Sequence, residues 1–101
     1  MSQEYEVRLL SIAEQDLADI ITYIAAENPT AAEKLLNKIE KNLANLSKFP
    51  FLGKEPQDKP LIKMGYRYCI VDNYLIFYTV GKNSILIHRI IHGARDYKDI
   101  L

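Results

Sequence analysis

The stretch that most limits how this chain can fold is Ser84–His92, Ser-Ile-Leu-Ile-His-Arg-Ile-Ile-His. Side chains of a strand alternate between faces, and here both alternating sets are apolar. Ile85, Ile87 and Ile91 mark one face, and Leu86 and Ile90 the other. A strand greasy on both faces belongs in the middle of a sheet that is covered on both sides. Two further strands precede it. Tyr74–Val80 is joined to it through Gly81-Lys82-Asn83. The stretch from Leu61 to Val71 reads as one long strand bent at Gly65. Asp72-Asn73 between these two suits a two-residue hairpin turn, because both residue types tolerate positive φ.

The N-terminal half supplies the cover. Residues 5–10 alternate as a short strand. Ser11-Ile12-Ala13-Glu14 has the form of a capping box, and Ala13, Leu17, Ile20, Ile21 and Ile24 make one apolar helical stripe that should end near Glu27. Asn28 or Thr30 can cap a second helix, with Pro29 at its first position and Thr30–Glu33 as another capping box. Its buried face is Leu35, Leu36, Ile39, Leu43 and Leu46; Lys34, Lys38 and Lys41 read as its solvated exterior. Pro50 stops it, and Phe49 and Phe51 read as side chains pinning the following loop to the core. Lys54 to Pro60 is polar and aperiodic, and is expected to be irregular and mobile. The expectation is a single α+β domain over residues 1–101, in the order β-α-α-β-β-β: a helical hairpin packed on a mainly antiparallel sheet. The hairpin covers only one face. The other needs the short C-terminal tail Tyr97–Leu101, a second copy, or a partner protein.

Composition excludes several function classes. Net charge is zero over 101 residues, which argues against a protein that grips long nucleic acid electrostatically. Residues 1–60 carry seven Lys/Arg against ten Asp/Glu and the remainder six against three, so any basic patch is local to the C-terminal half. The lone Cys69 excludes an intramolecular disulfide and a four-cysteine zinc site, and reads as a small buried hydrophobe. No apolar run approaches the ~20 residues that span a bilayer, and the opening Met-Ser-Gln-Glu-Tyr-Glu lacks the basic and apolar regions expected of a signal peptide. No membrane role and a cytoplasmic location are the expectation.

No metal or cofactor motif is present. His88 and His92 are four apart in a strand, so they are expected on one face but roughly 13 Å apart, too far to share an ion or a proton. What remains for chemistry is Arg67, Arg89, His92, Arg95 and Tyr97, with Lys63 nearby. Around a phosphodiester, His92 suits an acid or base role, Arg67 and Arg95 suit phosphate binding, and Tyr97 suits stacking on a base. The alternative is that Arg67 and Arg89 are solvated strand residues, Asp96 pairs with Arg95 or caps the final turn, and His92 satisfies a backbone carbonyl.

The order of short motifs resembles the RelE/ParE superfamily, the toxins of bacterial type II toxin–antitoxin modules. These motifs are Tyr5-Glu6-Val7-Arg8, Ala13-Glu14-Gln15-Asp16-Leu17, Asn28-Pro29-Thr30-Ala31-Ala32, Leu46-Ser47-Lys48-Phe49-Pro50 with Gly53, Gly65-Tyr66-Arg67-Tyr68, and the ending Arg89-Ile90-Ile91-His92-Gly93-Ala94-Arg95-Asp96-Tyr97. The resemblance implies a growth-arresting toxin neutralised by a cognate antitoxin, with operator DNA bound only through that antitoxin. It carries two activities. RelE-like members are ribosome-dependent mRNA endonucleases, for which Arg67, His92, Arg95 and Tyr97 would be the catalytic set. Their paired lysines are not reproduced here, since Lys63 stands alone and Lys59 is off the pattern. ParE-like members act on DNA gyrase, and the ending Arg-Ile-Ile-His-Gly-Ala-Arg-Asp is more similar to theirs. Gyrase inhibition is therefore the favoured expectation, with mRNA cleavage as the alternative. A toxin-like scaffold that only binds its antitoxin and acts as co-repressor is the third reading.

Overall fold

A computed structural model of the chain describes residues 4–93 together with Tyr97, Ile100 and Leu101. The elements are β1 (Glu6–Leu9), α1 (Ser11–Ala25), α2 (Pro29–Lys48), α3 (Lys59–Lys63), β2 (Tyr66–Val71), β3 (Tyr74–Val80) and β4 (Ser84–His92). The sheet order is β1-β4-β3-β2. β2–β3 and β3–β4 are antiparallel hairpin pairs, while β1 lies parallel to β4. Thus β4 is central, as its two-sided apolar pattern requires, and the α+β class and helical hairpin are as expected.

Helix α1 starts one residue earlier than the capping box implied. Ser11 is already helical, Leu10 occupies the cap position, and no side chain caps it. Helix α2 is capped by Asn28, whose Oδ1 accepts from the Ala31 amide at 3.1 Å, with Pro29 in the first turn; Thr30 lies inside the helix. At the β2–β3 turn Asp72 adopts φ 52°, and its carboxylate takes the Lys38 ammonium at 3.0 Å. One lysine of the α2 exterior is therefore tied to the sheet.

The long bent strand expected before Val71 is not formed. Lys59–Lys63 is a helical turn, capped by Asp58, whose Oδ2 accepts from the Leu61 amide, and opened by Pro60. Gly65, at φ 85°, ends it in the left-handed position where a helix commonly stops. Only Tyr66–Val71 is extended. The polar segment before it is also ordered by contacts: Lys54 pairs with Tyr68 as an isolated bridge, and Pro56 is fully buried. Phe49 and Phe51 are mostly exposed instead of pinning the loop. That task falls to Tyr78, a fully buried side chain whose hydroxyl donates to the Pro50 carbonyl at 2.8 Å and accepts from the Gly53 amide at 2.9 Å.

The two faces of the sheet carry separate cores. Against the helices lie Ala13, Leu35, Ile39 and Leu46 with Val71, Ile76, Tyr78, Ile85, Ile87 and Ile90. Cys69 belongs to this core, and burial pushes its thiol pKa up despite a hydrogen bond to Asn42, as expected of a packing residue. The opposite face holds Leu61, Tyr66, Phe77 and Ile91, with Tyr97, Ile100 and Leu101 packed on them. The tail is therefore one cover for the face the hairpin leaves open.

A register shift redistributes β4. Tyr78 pairs with Ile87 but Phe77 pairs with Arg89, so His88 is an inserted residue. The bulge moves Ile90 to the helical side with Ile85 and Ile87, and puts Ile91 on the tail side. The expected division of these isoleucines is corrected accordingly. A strict period of two fails wherever one strand carries an extra residue.

Candidate functional site

Beyond Leu9 the first strand ends, and β4 continues past it with an open edge. Helix α1 closes that edge. Asp16 Oδ2 accepts from the Ile90 amide at 3.0 Å, and the same carboxylate binds Arg89 in a two-pronged pair, 2.7 Å to Nε and 2.8 Å to Nη2. The two side chains are only 16% and 14% exposed. The hydrogen bond to Asp16 raises the Arg89 pKa further above its ordinary value. Arg89 is thus not a solvated strand residue; it joins α1 to the central strand.

Arg67 is also committed. Its Nε and Nη2 donate to the Gly53 carbonyl at 3.2 and 2.9 Å, Nη2 also reaches the Phe51 carbonyl at 3.3 Å, and Nη1 lies 3.6 Å from Glu55. Its guanidinium rests 5.4 Å from the Phe51 ring centroid. The forked donor set that would suit a phosphate is spent on the Phe51–Glu55 loop.

His92 sits at the end of β4, paired across the sheet with Tyr74, and the two rings meet edge to face at 5.5 Å. It helps line a shallow groove of about 280 Å³ with Asp19, Ile20 and the exposed Tyr23 of α1. His92 therefore faces the helical side. His88 faces the other: its Nε2 lies 2.9 Å from Thr79 Oγ1 and its Nδ1 3.3 Å from the hydroxyl of Tyr66, a member of the tail-side core. The expectation that the two histidines share a face is overturned, and the bulge at His88 is the reason.

Tyr97 stacks on Phe77 at 4.9 Å in the tail-side core, and Arg95 lies outside the described residues. The three described candidates are not brought together. Arg67 pairs with Tyr78 and His92 with Tyr74, four residues apart along β3, or roughly 13 Å. Tyr97 is on the opposite face of the sheet. Asp16 was missed as a site-shaping residue because its role depends on a contact 73 residues away in sequence.

His88 gives a pH test. Burial lowers its pKa below the ordinary histidine value, so the unfolded chain binds the proton more tightly. The stability this provides is complete above about pH 6.5 and is lost as pH falls through the depressed folded value. The urea midpoint should fall between pH 7.5 and 5.5, and His88→Gln should flatten that slope. An unchanged slope in the variant would assign the effect to another group.

Fold and site define a small α+β protein whose described residues gather no acid–base pair around a free phosphate-binding arginine. The chain belongs to the ParE toxin family of type II toxin–antitoxin systems: the family model for the ParE toxin of the parDE system matches residues 7–97. Among solved structures it is similar to a chain of the chromosomal ParDE system from P. aeruginosa. That match has TM-score 0.73 and 19% identity, and covers 90% of this chain and 98% of that one. It is also similar to a chain of the RelBE2 toxin–antitoxin complex from Mycobacterium tuberculosis, with TM-score 0.62 and 19% identity, covering 94% and 98% respectively. At that identity the two structures speak for the fold alone. No curated protein sequence matches significantly. The RelE/ParE expectation is borne out. Among the described residues, no helix is long and apolar enough to cross a membrane, and no cluster of His, Cys, Asp and Glu could hold a metal.

Proposed function

We propose that this chain arrests growth by binding DNA gyrase through protein–protein contact, without catalytic residues of its own, and that a cognate antitoxin neutralises it. The observation that carries the reading is the engagement of Arg67. A ribonuclease that stabilised a phosphorane with this guanidinium would first have to strip it from two carbonyls and a carboxylate. The separation of His92 from Arg67 and the stacking of Tyr97 on the other face point the same way. Membership of the ParE toxin family adds support.

The test runs two assays on the purified protein. Supercoiling gyrase is scored for lost activity and trapped cleavage complexes, and a translating extract is scored for new mRNA ends. Gyrase inhibition with intact mRNA is the expected result. Codon-aligned cuts with unaffected gyrase would replace this reading with the RelE-like one. Full growth on induction would leave only the antitoxin-binding co-repressor.

A further inference from the structure

The outer edge of β2 is only partly occupied. Tyr68 uses both its outward backbone groups on Lys54, donating to the Lys54 carbonyl at 2.9 Å and accepting from its amide at 2.8 Å. Outward groups recur every second residue of an antiparallel strand, so the amide and carbonyl of Ile70 face the same way. The chain that would pair with them has turned off: the Leu52 amide bonds back to the Phe49 carbonyl. A cavity of about 270 Å³ opens at this point, lined by Asn42, Leu52, Lys54, Tyr68, Cys69 and Ile70.

Three features of that cavity are unbalanced. Ile70 is 55% exposed and Leu52 53%, side by side on a sheet edge. The Asn42 Oδ1 is buried and has no hydrogen-bond partner among the described residues, a deficit worth about 1–3 kcal/mol in general. Among the described residues, Lys54 is the one charged residue lining it, and no carboxylate lines it. Free ladder groups, an apolar strip, an unanswered acceptor and a lone cation together describe the surface onto which an extended peptide adds as a strand.

We propose that the β2 edge at Ile70 is a strand-addition site for a partner protein. Its occupant is an extended segment that continues, antiparallel to β2, the ladder begun by Lys54. An apolar side chain lies over Ile70 and Leu52, a hydroxyl or amide donates to Asn42, and an acidic residue reaches Lys54. This deepens the antitoxin part of the reading above and rests on it for the partner's identity. A helix does not satisfy the Ile70 backbone, and a second copy would set Lys54 near Lys54 across a two-fold axis.

The experiment pans the intact protein against displayed short random peptides and measures amide exchange with the best binder. The expected binder carries alternating apolar residues and an acidic one, and slows exchange at Ile70. Ile70→Pro removes the outward amide and part of the apolar strip while leaving the pairing with β3, which an edge strand tolerates, and should weaken that peptide about tenfold or more. Asn42→Leu deletes the orphan acceptor without leaving a buried polar group. It also gives up the weak bond to the Cys69 thiol, so the protein should stay folded while donor-bearing peptides weaken, and it decides the matter if Ile70→Pro does not fold. No enriched peptide, protection confined to the helical groove or the tail, self-association that protects Ile70 in the peptide's absence, or unchanged affinity in both variants would each overturn the site. A peptide seated at Ile70 in a protein that does not slow growth would sink the functional reading and leave the site standing. Growth arrest without any peptide at Ile70 would do the reverse.

Discussion

Asp16→Ala should cost about 3–5 kcal/mol of folding stability, the range for removing one partner of a buried ion pair. The carboxylate answers three donors at once, the Arg89 Nε and Nη2 and the Ile90 amide, where β1 has ended and β4 has no neighbouring strand on that side. Without it a largely buried guanidinium and an edge amide both lose their acceptor. At roughly 4–8 °C per kcal/mol for a domain of this size, the thermal midpoint should fall by 12 °C or more. Urea unfolding gives the free energy directly. Asp16→Asn should be milder, since it can still accept from Ile90. The double variant Asp16→Ala/Arg89→Met should be more stable than the sum of the singles, because an unpaired charge is no longer buried. A cost below about 1 kcal/mol for Asp16→Ala would mean that helix packing alone holds α1 to the strand.

This junction also shows where sequence reading succeeds and where it stops. The central position of β4 follows from Ile85, Ile87, Ile90 and Ile91 because burial on two faces leaves no polar set in the strand. The helical hairpin follows from Asn28-Pro29 and the apolar stripes on either side of it. The division of isoleucines between the faces does not follow, since it depends on the one-residue insertion at His88, and the insertion is set by pairing with β3. α3 was missed for a different reason. Asp58, Pro60 and Gly65 are ordinary helix start and stop signals, but they enclose five residues whose apolar pair, Leu61 and Ile62, is equally consistent with a strand. The candidate site was legible in residue type and not in arrangement. Arg67 is a forked donor in either setting; only the fold reveals that the acceptors are its own loop carbonyls.

Gly53→Ala should destabilise the protein by about 3 kcal/mol, overpacking and a lost hydrogen bond each contributing about 1–3. A Cβ there would lie 2.6 Å from the Tyr68 carbonyl oxygen, 2.7 Å from the Tyr78 hydroxyl and 2.8 Å from the Tyr78 Cε1. The carbonyl belongs to the Lys54–Tyr68 bridge, and Tyr78 is fully buried, so neither yields cheaply. Moving the loop instead breaks the bond from the Gly53 amide to Tyr78 and displaces the carbonyl that Arg67 holds. Tyr78→Phe alone should cost about 1–3 kcal/mol by leaving the Gly53 amide without its acceptor. In the Gly53→Ala background the same change removes the hydroxyl that the new methyl meets, so the double variant should lie well above additivity. Strict additivity in urea unfolding would show that the loop, not the tyrosine, absorbs the methyl group. The pair also bears on function. If Arg67 serves only to hold this loop, Arg67→Ala and Gly53→Ala should lower stability while gyrase inhibition per folded molecule persists. Loss of activity in Arg67→Ala at full folding would return that guanidinium to the site.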